Sequence, residues 1–269
     1  MVASDTQSRK MLIGRERLFY TGLLGNSRKT RRLGSFTVHV ATSGSFDIKV
    51  GGGSWQSRRI FALKPFTPHQ LWSSADSIAT ACFESETVDW AYTEELFRQI
   101  NESDQGGRLA DHIETVRRKI MSDTAVDGFS TREFDDYVLG RVLPRRHADH
   151  RIETILDRLL DDLPEDKFSA AACAADVRLS TSRFLHLFKD ETKIPFRTLR
   201  TWKRARRFLD HANADDSLTN VALDLGYPDS SHFSRSIRAL FGLKPKSIRD
   251  GSRGMTVCFG ENYVLSRAS

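Results

Sequence analysis

Ten basic residues stand between Arg178 and Arg207: Arg178, Arg183, Lys189, Lys193, Arg197, Arg200, Lys203, Arg204, Arg206 and Arg207. Two acids, Asp190 and Glu191, oppose them, a local charge of +8 where the whole 269-residue chain carries a formal +6. A solvated helical face is one account of such a run. A run this one-sided repels itself, however, and a polyanion relieves that repulsion. Catalytic constellations are harder to find. Cys82, Cys173 and Cys258 are far apart and form no CxxC pair, so they read as small buried hydrophobes or inert thiols. No nucleophilic triad, Gly-rich phosphate loop or pair of carboxylates stands at a working spacing. In the first third the imidazoles are His39 and His69, thirty residues apart, too sparse for a clustered metal site. No metal and no cofactor are expected.

The elements that would position the basic run are helical and duplicated. One copy runs Ala174, Val177, Leu179, Phe184, Phe188, Ile194; the other runs Ala222, Leu225, Tyr227, Phe233, Ile237, Leu243. The first three positions are offset by 48 and the last three by 49, so one residue is inserted at the turn and register is otherwise kept. Each copy meets the needs of a helix-turn-helix. A small Ala lets two helices cross closely, and apolar residues either side of a corner pin it. Gly226 supplies the positive φ that such a corner favours. An ordinary pair of α-hairpins would explain the apolar spacing. It would not explain the duplication, the polar outward faces or the basic helix between the copies.

At these residues the chain resembles the AraC/XylS family of transcriptional regulators, most specifically from Leu218 through Leu-Gly-Tyr-Pro and His232-Phe233-Ser234-Arg235 to Arg249. The resemblance spans about Arg151 to Arg249. It implies two helix-turn-helix units joined by a helix over roughly Phe196 to His211, with recognition helices in adjacent major grooves about 34 Å apart. The residues implied to face bases are Ser182, Leu185 and His186 in the first unit, and Ser231, His232, Ser234 and Arg235 in the second. Phosphate contacts are expected from Arg183, Arg197, Arg200, Lys203, Arg204, Arg207 and Arg238. The family commonly has Gly where Arg178 and Lys193 stand here, and Pro where Phe196 stands. A non-Gly residue at positive φ costs on the order of 1 kcal/mol.

Ahead of this lies a β-rich part. Phe36, Val38 and Val40 alternate with polar neighbours, as do Phe46, Ile48 and Val50, with Ser43-Gly44-Ser45 as a hairpin turn. Further short strands are expected around Ile60 to Leu63, Gln70 to Trp72 and Ile78 to Phe83. The pattern, with Lys64-Pro65-Phe66-Thr67-Pro68-His69 in its middle, resembles the cupin-type barrel that family members carry. That likeness implies a small-molecule effector, with His69 the candidate to touch it. From Val88 the period turns helical. Leu109, Ile113, Val116 and Ile120 form a stripe that fits either a pairing helix of a homodimer or packing on the barrel. Ser130 and Glu133 form a capping-box pair that starts another helix. Pro144-Arg145-Arg146-His147 breaks the pattern. After Gly254 a strand-like look returns at Val257, Phe259, Tyr263 and Val264, with no account from sequence.

The expected fold class is therefore α+β: an N-terminal cupin-like β-barrel with following helices (1–145), then an all-α domain with two helix-turn-helix units (149–253). The expected function is a sequence-specific regulator, an activator responsive to an effector, with a double-stranded DNA operator and RNA polymerase as partners. The polar opening segment around Arg9 and Lys10 lacks the apolar run of a signal peptide, and no segment is apolar enough to span a bilayer. A cytoplasmic protein is expected. A cupin-type enzyme with an appended DNA-binding module is the rival from another class, opposed by the missing ligand cluster. An alkyl-transferring DNA-repair protein would need a reactive cysteine cluster, which is missing too.

Overall fold

The computed structural model describes residues 10–22, 28–73, 78–122, 127–159, 168–211, 215–253, 255–261 and 263. Arg9, Gly254 and Val264 lie outside them. The chain opens with β1 (Lys10–Ile13), β2 (Arg17–Thr21), β3 (Phe36–Ala41), β4 (Phe46–Val50), β5 (Trp55–Arg58), β6 (Ile60–Leu63), β7 (His69–Trp72) and β8 (Ile78–Phe83). Then come α1 (Trp90–Glu102), α2 (Gln105–Ser122) and α3 (Thr131–Leu139). The helical part holds α4 (His150–Arg158), α5 (Ala170–Asp176), α6 (Thr181–Thr192), α7 (Phe196–Arg206), α8 (Leu218–Asp224), α9 (Ser230–Phe241) and α10 (Pro245–Ser252). A last strand, β9 (Thr256–Phe259), follows.

Among the described residues the strands form two sheets, not a closed barrel. One has six strands in the order β6-β3-β8-β2-β1-β9, the other three in the order β5-β4-β7. The larger sheet is buried on both faces. Phe36, Val38, Val40 and Phe83 pack with Ile113, Val116 and Ile120 of α2 and with Phe134 of α3. On the opposite face, Ala41, Leu63 and Ile78 meet Phe46, Ile48 and Leu71 of the small sheet. This explains why Thr37 and His39, the polar members of the β3 alternation, are 1% and 0% exposed. The α2 stripe is thus used inside the chain. The capping box forms as expected: Glu133 N–H donates to Ser130 Oγ, and the Glu133 carboxylate accepts from Ser130 N–H.

Architecture changes near Pro144, but packing does not stop there. Asp89 N–H donates to Pro144 O at 2.8 Å, and Arg146 pairs with Glu191 of α6 at 3.2 Å. Met11, Ile13, Leu18, Tyr20 and Leu33 share one apolar cluster with Trp202, Phe241 and Ile248 of the helical part. The tail of the chain closes the sheet, β9 running parallel to β1 with Leu12 opposite Cys258. All three cysteines are buried, so they serve as small apolar packers.

Candidate nucleic-acid interface

Each helix-turn-helix unit is built from short, capped helices. Ser169 caps α5, Ser180 caps α6, Ser217 caps α8 and Asp229 caps α9, each accepting the backbone N–H three residues on. The corners match between copies. Gly226 has φ +73° and Arg178, its counterpart, φ +56°; Gly242 has φ +68° and Lys193, its counterpart, φ +59°. The two basic residues therefore take the left-handed turns that glycine takes in the second copy. Ala174 and Ala222, at the helix crossings, are 1% and 0% exposed. Phe184, Phe188, Phe233 and Ile237 point inward and join one core with Phe196, Leu199, Trp202 and Phe208. Phe196 stacks edge-on against Phe184 and Phe188, both with ring centroids 5.2 Å away, which is what an aromatic at this position contributes.

The outward faces of the two recognition helices are open. Ser182, Arg183, Leu185 and His186 of α6 are exposed, and so are Ser231, His232, Arg235 and Arg238 of α9, while Ser234 is half-buried. Leu185 is 37% exposed, uncommon for a leucine on a helix whose opposite face is fully packed.

The five cations expected from the linker helix divide sharply. Arg197 is exposed. Arg200 donates from Nη1 to Phe168 O at 2.8 Å, and Arg204 donates from Nη1 to Gly226 O at 3.0 Å while lying 4.9 Å from the Tyr227 ring centroid. Both are half-buried and tied to the helix-turn-helix units themselves. Arg207 is half-buried too, burial pulling its pKa down against the raising effect of Asp210 and Tyr263. Lys203 corrects the sequence expectation outright. Only 4% exposed, its ammonium pairs with Glu84 at 2.8 Å and with Glu86, both on the segment after β8, and it presents nothing to a polyanion. The sequence could not show this, because Glu84 lies 119 residues away.

His69 is also interior, 2% exposed, with Nδ1 donating to Thr67 O at 2.9 Å. Its ring lies 5.3 Å from that of His39, whose Nδ1 is 3.1 Å from Thr80 Oγ1. Nε2 of both imidazoles is buried without a hydrogen-bond partner. Arg31, fully buried, raises the cost of protonating either ring. The sequence flagged His69 alone; Arg31 carried no periodic or motif signal. Among the described residues, no three His, Cys, Asp or Glu side chains converge as metal ligands would.

Two helix-turn-helix units on a shared core, with polar recognition faces and a connecting basic helix, define a double helix-turn-helix DNA-binding domain. A family profile described as a helix-turn-helix domain matches residues 173–251. The transcriptional activator RhaS of Escherichia fergusonii is 46% identical over 48 residues, 18% of this chain and 16% of that protein. Ada of Escherichia coli, a bifunctional transcriptional activator and DNA repair enzyme, is 31% identical over 113 residues, 40% of this chain and 30% of Ada. RhaS of Klebsiella pneumoniae is 35% identical over 94 residues, 32% of this chain and 33% of that protein. The chain thus matches about a sixth to a third of the length of these relatives. Apo ToxT from Vibrio cholerae superposes with a TM-score of 0.51 over 90% of this chain and 96% of ToxT at 11% identity, a likeness of fold. Residues 173–251 thus form a helix-turn-helix domain of the AraC type.

Proposed function

We propose that this chain is a sequence-specific DNA-binding transcription regulator, an activator, in which α6 and α9 enter adjacent major grooves. The observation that carries the reading is the duplicated unit with both outward faces polar and unobstructed, beside a helix that displays Arg197. Bases are read by Ser182, Leu185 and His186 from the first unit, and by Ser231, His232, Ser234 and Arg235 from the second. Arg183, Arg197, Arg200, Arg204, Arg207 and Arg238 serve phosphate, with Arg200 and Arg204 doing so from tethered positions. Arg235 has the fork for a bidentate contact to guanine, worth roughly 1–3 kcal/mol of discrimination. Leu185 offers apolar contact to a thymine methyl.

The N-terminal part takes a small-molecule effector, with His69 the candidate to touch it, a reading supported by the buried Nε2 atoms of His39 and His69 that have no hydrogen-bond partner. The operator is double-stranded DNA in the cytoplasm, and RNA polymerase is the partner an activator requires. No helix of the described residues is long and apolar enough to cross a membrane. The name of Ada joins activation to DNA repair, but the match to it is confined to the helix-turn-helix part, so it favours no enzyme here.

The test is binding of Arg235→Ala to duplexes mutated at single base pairs, starting from a sequence selected out of a random pool. Discrimination should collapse at one position and persist elsewhere. An equal loss over the whole panel would make Arg235 a phosphate clamp.

A further inference from the structure

One face of α7 has no part in DNA binding as proposed. Trp202, Lys203 and Arg206 are 0%, 4% and 4% exposed and turn toward the N-terminal sheet. Glu84, directly after β8 and 1% exposed, accepts from Trp202 Nε1 at 2.9 Å and from Lys203 Nζ at 2.8 Å, both through Oε2. Its Oε1 lies 2.7 Å from Arg206 Nε. Glu86, 6% exposed, holds Lys203 from a second side, and Arg206 Nη2 donates to the carbonyls of Gly14 and Arg17 at 2.6 and 3.2 Å. Two acids and two bases are thus sealed between the sheet and the helix that joins the two DNA-reading units.

Stability alone does not call for this arrangement, since apolar side chains of the same volume pack as well without desolvating four charges. What the charged set adds is a single placement, because a shift of α7 by one residue would leave buried ions unpaired. α7 in turn packs against both α6 and α9 and lends Phe196, Leu199, Trp202 and Ala205 to the core that seats Phe184 and Phe233. Two recognition helices reading adjacent grooves must match the DNA repeat of about 34 Å. We propose that Glu84 and Glu86, far from any base, are positioning residues for DNA recognition: through α7 they fix the placement of one recognition helix relative to the other, and so the half-site spacing the protein accepts. This rests on the double helix-turn-helix reading.

The experiment uses the full chain, a duplex it selects from a random pool, versions of that duplex with one or two base pairs inserted between half-sites, and a single half-site. Wild type should lose affinity steeply with each insertion. Glu84→Gln/Glu86→Gln should lose about tenfold or more on the selected duplex, bind the half-site as wild type does, and discriminate spacing less. Should the double variant fold poorly, Glu86→Gln, which leaves Lys203 paired with Glu84, should show the same flattening to a smaller degree. A folded variant that keeps the wild-type spacing profile, or one that weakens half-site and full site equally, overturns the proposal. If wild type selects no duplex at all, the DNA-binding reading falls and takes the proposal with it.

Discussion

Gly34 sits where the sheet meets α7, and Gly34→Ala should be among the most damaging single-methyl additions in the chain. A Cβ there would lie 2.3, 2.6 and 2.7 Å from three carbons of the Trp202 indole. Carbon atoms prefer about 3.5–4.0 Å, so the ring must retreat by roughly 1 Å. It has nowhere to go: Trp202 is fully buried, its ring lies 5.6 Å from that of Phe241, and its N–H is bonded to Glu84. Overpacking costs about 1–3 kcal/mol, and disturbing a hydrogen bond to a charged group about 1.5–3 more. Against this, alanine restricts the unfolded chain and returns about 0.4–1 kcal/mol. The net loss is about 2–5 kcal/mol, a fall in Tm on the order of 10 °C for a chain of this size. The assay is thermal unfolding of full-length Gly34→Ala beside Gly52→Ala, whose added Cβ would meet nothing within 4 Å. The control should stay within about 0.5 kcal/mol of wild type. Equal Tm values for the two variants would refute the close packing of sheet on α7.

Burial pulls the His69 pKa down to about 4, Arg31 adding to it and the Thr67 bond opposing. Its ordinary value is about 6.5, so the unfolded chain binds the extra proton in between; stability is full above about 6.5 and falls by about 2 kcal/mol at pH 5. Urea midpoints should drop over that window, His39 acting in the same sense, and a flat profile would contradict the burial. Arg197→Ala should lower the slope of log K against log salt by about one while leaving stability within about 0.5 kcal/mol. Lys203→Ala should do the reverse, an unchanged slope with about 3–5 kcal/mol lost, because it takes from buried Glu86 the ammonium that pairs it and leaves Glu84 only Trp202 and Arg206; a shifted slope would return Lys203 to the DNA face.

The parts of the fold legible in the sequence were those with a period. β3, β4, β6, β7 and β8 followed alternation and turn residues, and the helix-turn-helix copies followed their own duplication. β1 (Lys-Met-Leu-Ile) and β2 (Arg-Leu-Phe-Tyr-Thr) did not declare themselves, because both faces are covered and a doubly buried strand has no polar side to alternate with. β5 failed for the opposite reason: all four residues are exposed. A closed barrel was expected, and two sheets are found, because turn signals give strands but not the edge at which a sheet stops. The charged interior was the least legible. Glu84, Glu86, Lys203 and Arg206 read as surface one by one, and only partners more than a hundred residues away make their burial tolerable.

That burial changes what the basic run means. Of its ten cations, Lys203 and Arg206 are neutralised inside the protein, and Arg200 and Arg204 are bound to backbone carbonyls. Arg207 is half-buried, whereas Arg178, Arg183, Lys189, Lys193 and Arg197 remain exposed. All five lie in or beside the first helix-turn-helix unit. The second unit is charged as well: α9 exposes Arg235 and Arg238, as α6 exposes Arg183 and Lys189, with Lys244 and Lys246 exposed beyond it, and Arg235 stands at a base-facing position. On the proposed reading the two copies of one motif have therefore divided their work. The first, whose recognition helix offers Leu185 and His186 at its base-facing positions, contributes phosphate attraction and apolar contact. The second, with the one guanidinium placed for a bidentate contact, supplies most of the base discrimination. Affinity without the second unit would then be sequence-blind, and discrimination without the first too weak to hold at physiological salt, so a rigid α7 between them is what makes the pair a single reader.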